Sequence, residues 1–271
     1  MIHKLRRLSA ALAAVLAFGV SVGAAAEYPE RPITTIVPYA AGGGYDIIGR
    51  LIGEQLSHQL GQNVIIENRP GVAGISGTDA AARAAPDGYT ILLGGGTMAI
   101  NPSLYKNLPY DPVKSFAPIG LVSGSALVLV VPASLPVDSV QALLAYAKTR
   151  PDGLNFGSAG AGTPLHLAGE LFSRSTGIRM THIPYKGSSP ALTDLVAGRV
   201  DLLFDVPTTS RKFIESGQLK ALAVTSATRS TLLPNVPTLQ EEGVAGFDLA
   251  SWFAYFAPAG TPEPIVQRLN A

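Results

Sequence analysis

One stretch limits what this chain can fold into more than any other: residues 33–60, ITTIVPYAAGGGYDIIGRLIGEQLSHQL. Residues 33–37 read as a buried strand, 40–44 as a loop of small residues, and the remainder as an amphipathic helix. Ile48, Ile52, Leu56 and Leu60 recur every four residues with Ile47 and Leu51 beside them, which predicts one apolar helical face. Asp46 stands where an N-cap belongs and Gly61 where a C-terminal cap belongs. A helix N-terminus carries unpaired backbone N–H groups and the positive end of the macrodipole. Three glycines in front of it allow a ligand to approach the backbone closely, so the turn suits an anion. A permissive turn between strand and helix needs the same residues, and both readings stand at this point.

The first 26 residues are a separate matter. Lys4, Arg6 and Arg7 form a basic start, residues 8–22 an apolar run, and Ala24-Ala25-Ala26 a small-residue cleavage site. This is the pattern of an export signal, with an uncleaved anchor as the alternative; the apolar run is short for a membrane span. Removing the three basic residues leaves 17 basic against 19 acidic, a net charge near −2, with no basic run to follow a nucleic-acid backbone. Cysteine is absent, which excludes a disulfide framework, a thiol nucleophile and a thiolate metal site. An exported chain without disulfides rests on its hydrophobic core, and 47% apolar residues suffice for one.

Further on, strand-like and helix-like segments alternate, punctuated by glycine and proline. Residues 63–67 read as a strand, 68–77 as a glycine-rich loop, 78–85 as a helix and 89–93 as a strand followed by a second glycine loop, 94–97. A β-rich stretch at 119–131 carries the expected first crossing into another domain, near residues 123–129. A helix at 137–149 and a strand at 154–156 lead to a third glycine loop, 157–163, with Pro164 in the first turn of the next helix. Strands are expected at 179–183, 200–204 and 219–225, and helices at 188–197 and 207–216. A short helix is expected within 234–243, a return crossing at 247–258 and a last helix from 262. That helix meets Ala271 without a cap, so the chain reads as cut short. The alternation predicts parallel sheets covered on both faces, and loops after strand ends are where such sheets collect ligands.

Enzyme motifs fail. The dinucleotide fingerprint would need a third glycine at Ile47, and no Gly-Lys-Ser/Thr ending follows any glycine loop. The single G-x-S-x-G, residues 19–23, lies inside the export signal. Ser158, His166 and Asp205 can be written as a triad, but triads are recognised by geometry and nothing in the spacing supports one. His58, His166 and His182 form no zinc-binding pair, so no metal site is expected; His58 reads as a surface residue and His182 as structural. What remains is four small-residue loops, 40–46, 94–101, 157–163 and 185–189. In an exported two-part α/β chain they point to a ligand clamp that binds carboxylates through backbone N–H groups.

The segments YPERPITTIVPYAAGGGYD (28–46), ENRPGVAG (67–74), AARAAPDGYTILL (81–93), INPSLY (100–105) and LPYDPVKSFAPIGLV (108–122) carry a family resemblance. So do SAGAGTPLHLAGELF (158–172), HIPYKGSSPALTDLVAGRVDLLFD (182–205), ALAVTS (221–226), LPNVPTLQEEG (233–243) and WFAYFAPAGTP (252–262). In this order the chain resembles the periplasmic solute-binding proteins of the tripartite tricarboxylate transporter family, the Bug receptors. The resemblance implies an α/β fold of two domains in a Venus-flytrap arrangement, each a mostly parallel sheet covered by helices. After a signal peptide (1–26), domain 1 would comprise 27–125 plus 250–271 and domain 2 residues 126–249.

Family members hold the carboxylate of an organic acid through backbone groups and ordered waters. Carried over, the first loop offers Tyr39, Ala41, Gly42, Gly43 and Asp46, and the second Thr97, Met98 and Ala99. Domain 2 offers Ser158, Ala159, Gly162 and Thr163, with His166, Tyr185 and Asp205. The glycines could serve turn geometry alone, Asp46 could only cap its helix, and His166 could stabilise its own turn by hydrogen bonding. Lys186 could pair with a ligand acid or remain solvated. Met98 stands where the family often has histidine, and family members continue beyond Ala271. The resemblance implies a periplasmic receptor, not an enzyme, with no cofactor. A small carboxylate ligand and membrane permease subunits would be its partners, and it would be a monomer that binds no nucleic acid. A sensory receptor serving a membrane sensor kinase and an exported serine hydrolase are the rival readings.

Overall fold

The computed structural model describes residues 28–271; the expected export signal lies outside them. The first unit is β1 (Ile33–Val37), α1 (Gly44–Leu60) and β2 (Val64–Asn68). A 3₁₀ turn at Val72–Gly74 leads into α2 (Ile75–Ala82), then β3 (Thr90–Gly95) and α3 (Gly96–Leu104). β4 (Phe116–Ala126) and β5 (Val128–Pro132) follow with only Leu127 between them. The middle of the chain is α4 (Val140–Lys148), β6 (Leu154–Ser158), α5 (Pro164–Thr176), β7 (Met180–Pro184) and α6 (Ser188–Val196). It continues with β8 (Leu202–Asp205), α7 (Pro207–Glu215) and β9 (Leu219–Val224). β10 (Ala250–Pro258) and α8 (Glu263–Asn270) complete it.

These strands build two five-stranded sheets, ordered β2-β1-β3-β10-β4 and β7-β6-β8-β5-β9. In each sheet one strand opposes the other four: β10 runs antiparallel to β3 and β4, and β5 antiparallel to β8 and β9. The reversal follows from the crossings. β4 points toward the second sheet, so the chain passing through Leu127 enters that sheet at the near end and β5 must run away from it. The return into β10 obeys the same rule in the opposite sense. Thr225, fully buried, ties the two crossings together. Its hydroxyl accepts from Leu127 N–H (2.8 Å) and donates to the Leu249 carbonyl (2.6 Å), while Leu249 N–H donates to the Thr225 carbonyl (3.1 Å).

The core of the second sheet is complete at β5, whose five residues are all buried. On the first sheet α1 sits close because its inner face carries glycine. A Cβ on Gly49 would stand 3.2 Å from Val37 Cγ2, and one on Gly53 3.2 Å from Ile66 Cδ1.

Several sequence expectations need correction. Leu51, expected on the apolar face of α1, is 58% exposed, because Gly49 and Gly53 take the inner positions beside Ile48 and Leu60. Asp46 is not the N-cap: Gly43 is, and Asp46 in the first turn reaches back to accept from Gly42 N–H (2.9 Å). Gly94 and Gly95 are not a loop but the end of β3, paired with Ala254 and Phe253 of β10. The helix placed at 78–85 starts three residues earlier, at Ile75, inside the expected loop. Residues 234–243 form turns and an isolated bridge, with no helix.

Candidate ligand site between the two sheets

The carboxyl ends of the strands face each other across a cleft, and the helices that follow begin there. A cavity in the cleft offers about 30 Å³ to the centre of a water molecule, room for roughly two waters. Gly44 and Tyr45 of α1 and Thr97 of α3 line it from the first sheet's side. Pro164 and Leu165 of α5, Ser188 of α6 and Val206, the N-cap of α7, line it from the second's. Five helix N-termini therefore converge on one small volume. No lysine, arginine or histidine is among the lining residues. What would favour an anion there is main-chain N–H groups and helix dipoles, not charged side chains. In α1 the first intrahelical bond is from Ile47 N–H to the Gly43 carbonyl (3.0 Å), so the N–H groups of Gly44, Tyr45 and Asp46 have no partner within the helix.

Aromatic rings form one wall. Tyr39 and Tyr45 lie 4.5 Å apart between centroids, and Tyr45 meets Phe253 edge-on at 4.7 Å. The Tyr39 and Thr97 hydroxyls share a hydrogen bond of 2.8 Å. Burial pushes both tyrosine hydroxyls well above their ordinary range, so they stay neutral. The opposite wall ends at Asp205, which is 0% exposed. Burial raises its carboxyl to about 7, against the lowering effect of the Thr209 hydroxyl, the Val206 N–H and the nearby Ser188 hydroxyl. Thr209 Oγ1 donates to Asp205 Oδ2 (2.5 Å), whereas Oδ1 makes no hydrogen bond.

Of the residues carried over from the sequence, Tyr39, Gly43, Thr97, Ala159, Thr163 and Asp205 line this cavity together. The others lie around it. Ala41 and Gly42 sit exposed at the rim, and Gly42, at φ +77°, faces the Ser189 hydroxyl of the opposite half. Asp46 turns away to Gly42 N–H and to Arg50 (3.0 Å). Burial works to raise its carboxyl, but the Arg50 and Gly42 bonds outweigh it and hold the group below the usual range. Met98 packs into the core of the first half among Ile36, Leu92, Tyr110 and Phe116, and Ala99 is exposed. Tyr185 donates its hydroxyl to Asp194 Oδ2 (2.8 Å).

Ser158, His166 and Asp205 do not assemble into a triad. Ser158 Oγ pairs with His182 Nε2 at 2.6 Å and also bonds the Gly160 backbone. His166 Nδ1 accepts from Gly162 N–H (3.1 Å), which fixes the turn before α5, and Thr163 caps that helix by accepting from His166 N–H (3.3 Å). The two imidazoles lie 4.0 Å apart between centroids, tilted by 37°, and Phe156 stacks on His182 at 4.9 Å. Burial first, then His166, pulls His182 down to about 4, so it is neutral at ordinary pH.

Sequence reasoning missed Gly44, Tyr45, Pro164, Leu165, Ser188, Val206, Ser251 and Phe253 as lining residues. A signal existed for Tyr45 and Ser188, since each follows a glycine at the start of a helix. Nothing local marks Ser251 and Phe253, which are placed by the pairing of β10 with β4 and β3.

The halves touch directly around the cavity. Ala40 N–H donates to the Lys186 carbonyl (3.0 Å), and the Tyr105 hydroxyl to the Ala161 carbonyl (3.3 Å). Several glycines make these approaches possible. A Cβ on Gly44 would stand 2.6 Å from Val206 Cγ2, and one on Gly43 3.2 Å from Ser188 Oγ.

This architecture has close relatives. The family model for the tripartite tricarboxylate transporter family receptor matches residues 48–271. The chain belongs to that family. BugT of Bordetella pertussis is 42% identical over 245 residues, covering 90% of this chain and 75% of BugT. Among solved structures, a Rhodopseudomonas palustris protein with adipate superposes at a TM-score of 0.88 with 42% identity, over 90% of this chain and 82% of that one. MatC of Rhodopseudomonas palustris, with bound malate, gives 0.85 and 35% over 90% and 83%. The relatives are solute-binding proteins of the two-domain periplasmic type, and this receptor shares their fold.

Proposed function

We propose that this receptor, in the periplasm, captures a small organic acid in its interdomain cleft and delivers it to the membrane permease of a tripartite tricarboxylate transporter. The observation that carries the reading is the convergence of five helix N-termini on one enclosed cavity with no cationic side chain. A carboxylate placed against the start of α1 would accept the N–H groups that the helix leaves open. The adipate and malate held by the two R. palustris relatives make organic acids the first candidates here.

In this reading residues 27–125 with 250–271 form one lobe, 126–249 the other, and 1–26 direct export. The lobes hinge where Thr225 joins the two crossings, and the closed form docks on the permease as a monomer. Gly43, Thr97, Ala159 and Thr163 contact the ligand or its waters. Gly42, Gly162 and His166 shape the loops around it.

A thermal-shift screen of the protein against small carboxylic acids tests this. A ligand present at a hundred times its Kd adds about 2.7 kcal/mol of stability, and small-angle scattering should report a more compact particle. If no acid shifts the protein, and mass spectrometry of the denatured sample releases no bound acid, the reading fails.

A further inference from the structure

The turn at residues 159–163, between β6 and α5, meets both the cavity and the opposite half. Ala159 and Thr163 line the cavity. The Ala161 carbonyl accepts from the Tyr105 hydroxyl of the first half (3.3 Å). Gly162, at φ +86°, lies so close to Leu104 that a Cβ there would stand 2.6 Å from Cδ1. Two imidazoles hold this turn at its ends. His166 Nδ1, in the first turn of α5, accepts from Gly162 N–H (3.1 Å). His182 Nε2, on β7, pairs with Ser158 Oγ (2.6 Å), which in turn accepts from Gly160 N–H (3.0 Å).

The Gly162 bond fixes the state of His166. An imidazole nitrogen that accepts carries no proton, so the proton of this ring sits on Nε2, which faces Glu170 Oε1 at 3.5 Å. A second proton has only Nδ1 to go to. There it sets a donor against the Gly162 N–H, and the bond is lost. The side chain is 17% exposed, so solvent can deliver that proton. Among the described residues, the charged or titratable groups acting on the pair are Glu170 of α5 and the two rings themselves. β6 supplies Phe156 and Ser158, and the first half brings the Tyr105 phenol to Ala161. Burial outweighs Glu170 and holds His166 below 6.5. A charge on His166 helps to keep His182 neutral, so the pair takes its first proton on His166.

We propose that His166 positions the 159–163 turn for the ligand only while its Nδ1 is bare, so that acidification weakens the hold on the bound acid. The inference rests on the carboxylate-receptor reading above. The Gly162 bond lies within one half and forms with or without ligand. Closure over a ligand clamps the turn from the other side, so the closed form resists the proton more than the open form does. Affinity is therefore full above pH 6.5 and falls as pH drops below it, by at most about tenfold per unit for one group.

Nitrogen-15 NMR of the unliganded protein reads the positioning. At pH 7.5 His166 should be the Nε2–H tautomer. On acidification it should titrate with a midpoint below 6.5, and the Gly162 amide should shift with the same midpoint. In His166→Asn the side-chain oxygen takes the place of Nδ1 and does not titrate, at similar helix propensity, so the amide should lose that step. Calorimetric titration with malate and adipate, then with whichever acid of the panel shifts the protein most, reads the consequence. From pH 7.5 to 5, wild-type affinity should fall at least about fivefold more than that of the variant. The acid's own carboxyls and Asp205 titrate in both proteins and cancel in that comparison.

An Nδ1–H tautomer at pH 7.5, a Gly162 amide that ignores the His166 step, or equal losses in the two proteins overturns this inference and leaves the receptor reading intact. If the variant does not fold, the wild-type protein decides alone, and affinity that stays flat from pH 7.5 to 5 overturns it. Silence from every acid overturns the receptor reading, and release by protons with it, even where the amide step is present.

Discussion

Gly44→Ala should separate closure from folding. Gly44 is the first residue of α1, its φ is not in the left-handed region, and alanine is the better helix former by up to about 1 kcal/mol. The first half should therefore fold at least as well. Across the cleft, however, the new Cβ would stand 2.6 Å from Val206 Cγ2, well inside contact distance. Val206 is buried and β-branched, so its χ1 has little freedom to move the methyl aside. Overpacking of this kind costs about 1–3 kcal/mol. The cost falls on the closed form alone, because the contact joins opposite halves. Ligand affinity should drop roughly 5- to 150-fold, with the unliganded melting temperature unchanged or raised. Titration calorimetry with a bound acid reads the loss. Val206→Ala removes the methyl, so the double variant should recover most of the affinity relative to Val206→Ala alone, a coupling that a double-mutant cycle isolates. Binding by Gly44→Ala within twofold of wild type would refute the premise that these two residues meet in the liganded protein.

Three further outcomes follow from the packing. Gly169→Ala drives a Cβ into the Phe156 ring in the buried core; it should lower the urea-unfolding free energy by about 1–3 kcal/mol, and an unchanged midpoint would contradict the packing. Thr225→Val keeps the shape but leaves Leu127 N–H and the Leu249 carbonyl without the hydroxyl; a loss of about 1–3 kcal/mol is expected, and a looser unliganded particle in small-angle scattering would mark the site as the hinge. His182 has its folded pKa depressed from 6.5 to about 4. Between those values the unfolded chain takes up a proton and the folded one does not, so this contribution is complete above pH 6.5 and is lost as pH falls toward 4. The His182 imidazole should remain neutral by NMR at pH 5, and a midpoint near 6.5 would refute the burial argument.

How much of this was legible in the sequence depended on whether the signal was local. Strand, glycine and helix alternate in sequence as they do in space, and caps such as Gly61, Thr163 with Pro164, and Gly198 fall at helix ends for reasons within a few residues of each. Gly94 and Gly95 misled because two glycines look like a loop until β10, some 160 residues away, pairs with them. Leu51 misled because apolar periodicity cannot register a glycine as a buried position, yet Gly49 and Gly53 are what let α1 approach the sheet. The reversed strands carry no local mark. Their direction follows from where the chain crosses between sheets, which is a property of the whole path.

The glycine loops have a second role that sequence reasoning did not separate from the first. Glycines before helices suit an anion, but Gly43 and Gly44 face Ser188 and Val206 of the other half, and Gly162 faces Leu104. The same absence of Cβ that would expose N–H groups to a ligand lets the halves come together here. In the proposed receptor a site made of backbone in this way would recognise what all carboxylates share. Its N–H groups stay where the helix puts them whatever side chains surround them, so they cannot tell one acid from another. Discrimination must come from the few side chains that reach the cavity. In the proposed receptor the aromatic wall of Tyr39, Tyr45 and Phe253 would set shape, and the hydroxyls of Thr97, Thr163, Ser188 and Ser251 would be the lining side chains that meet a ligand's polar atoms.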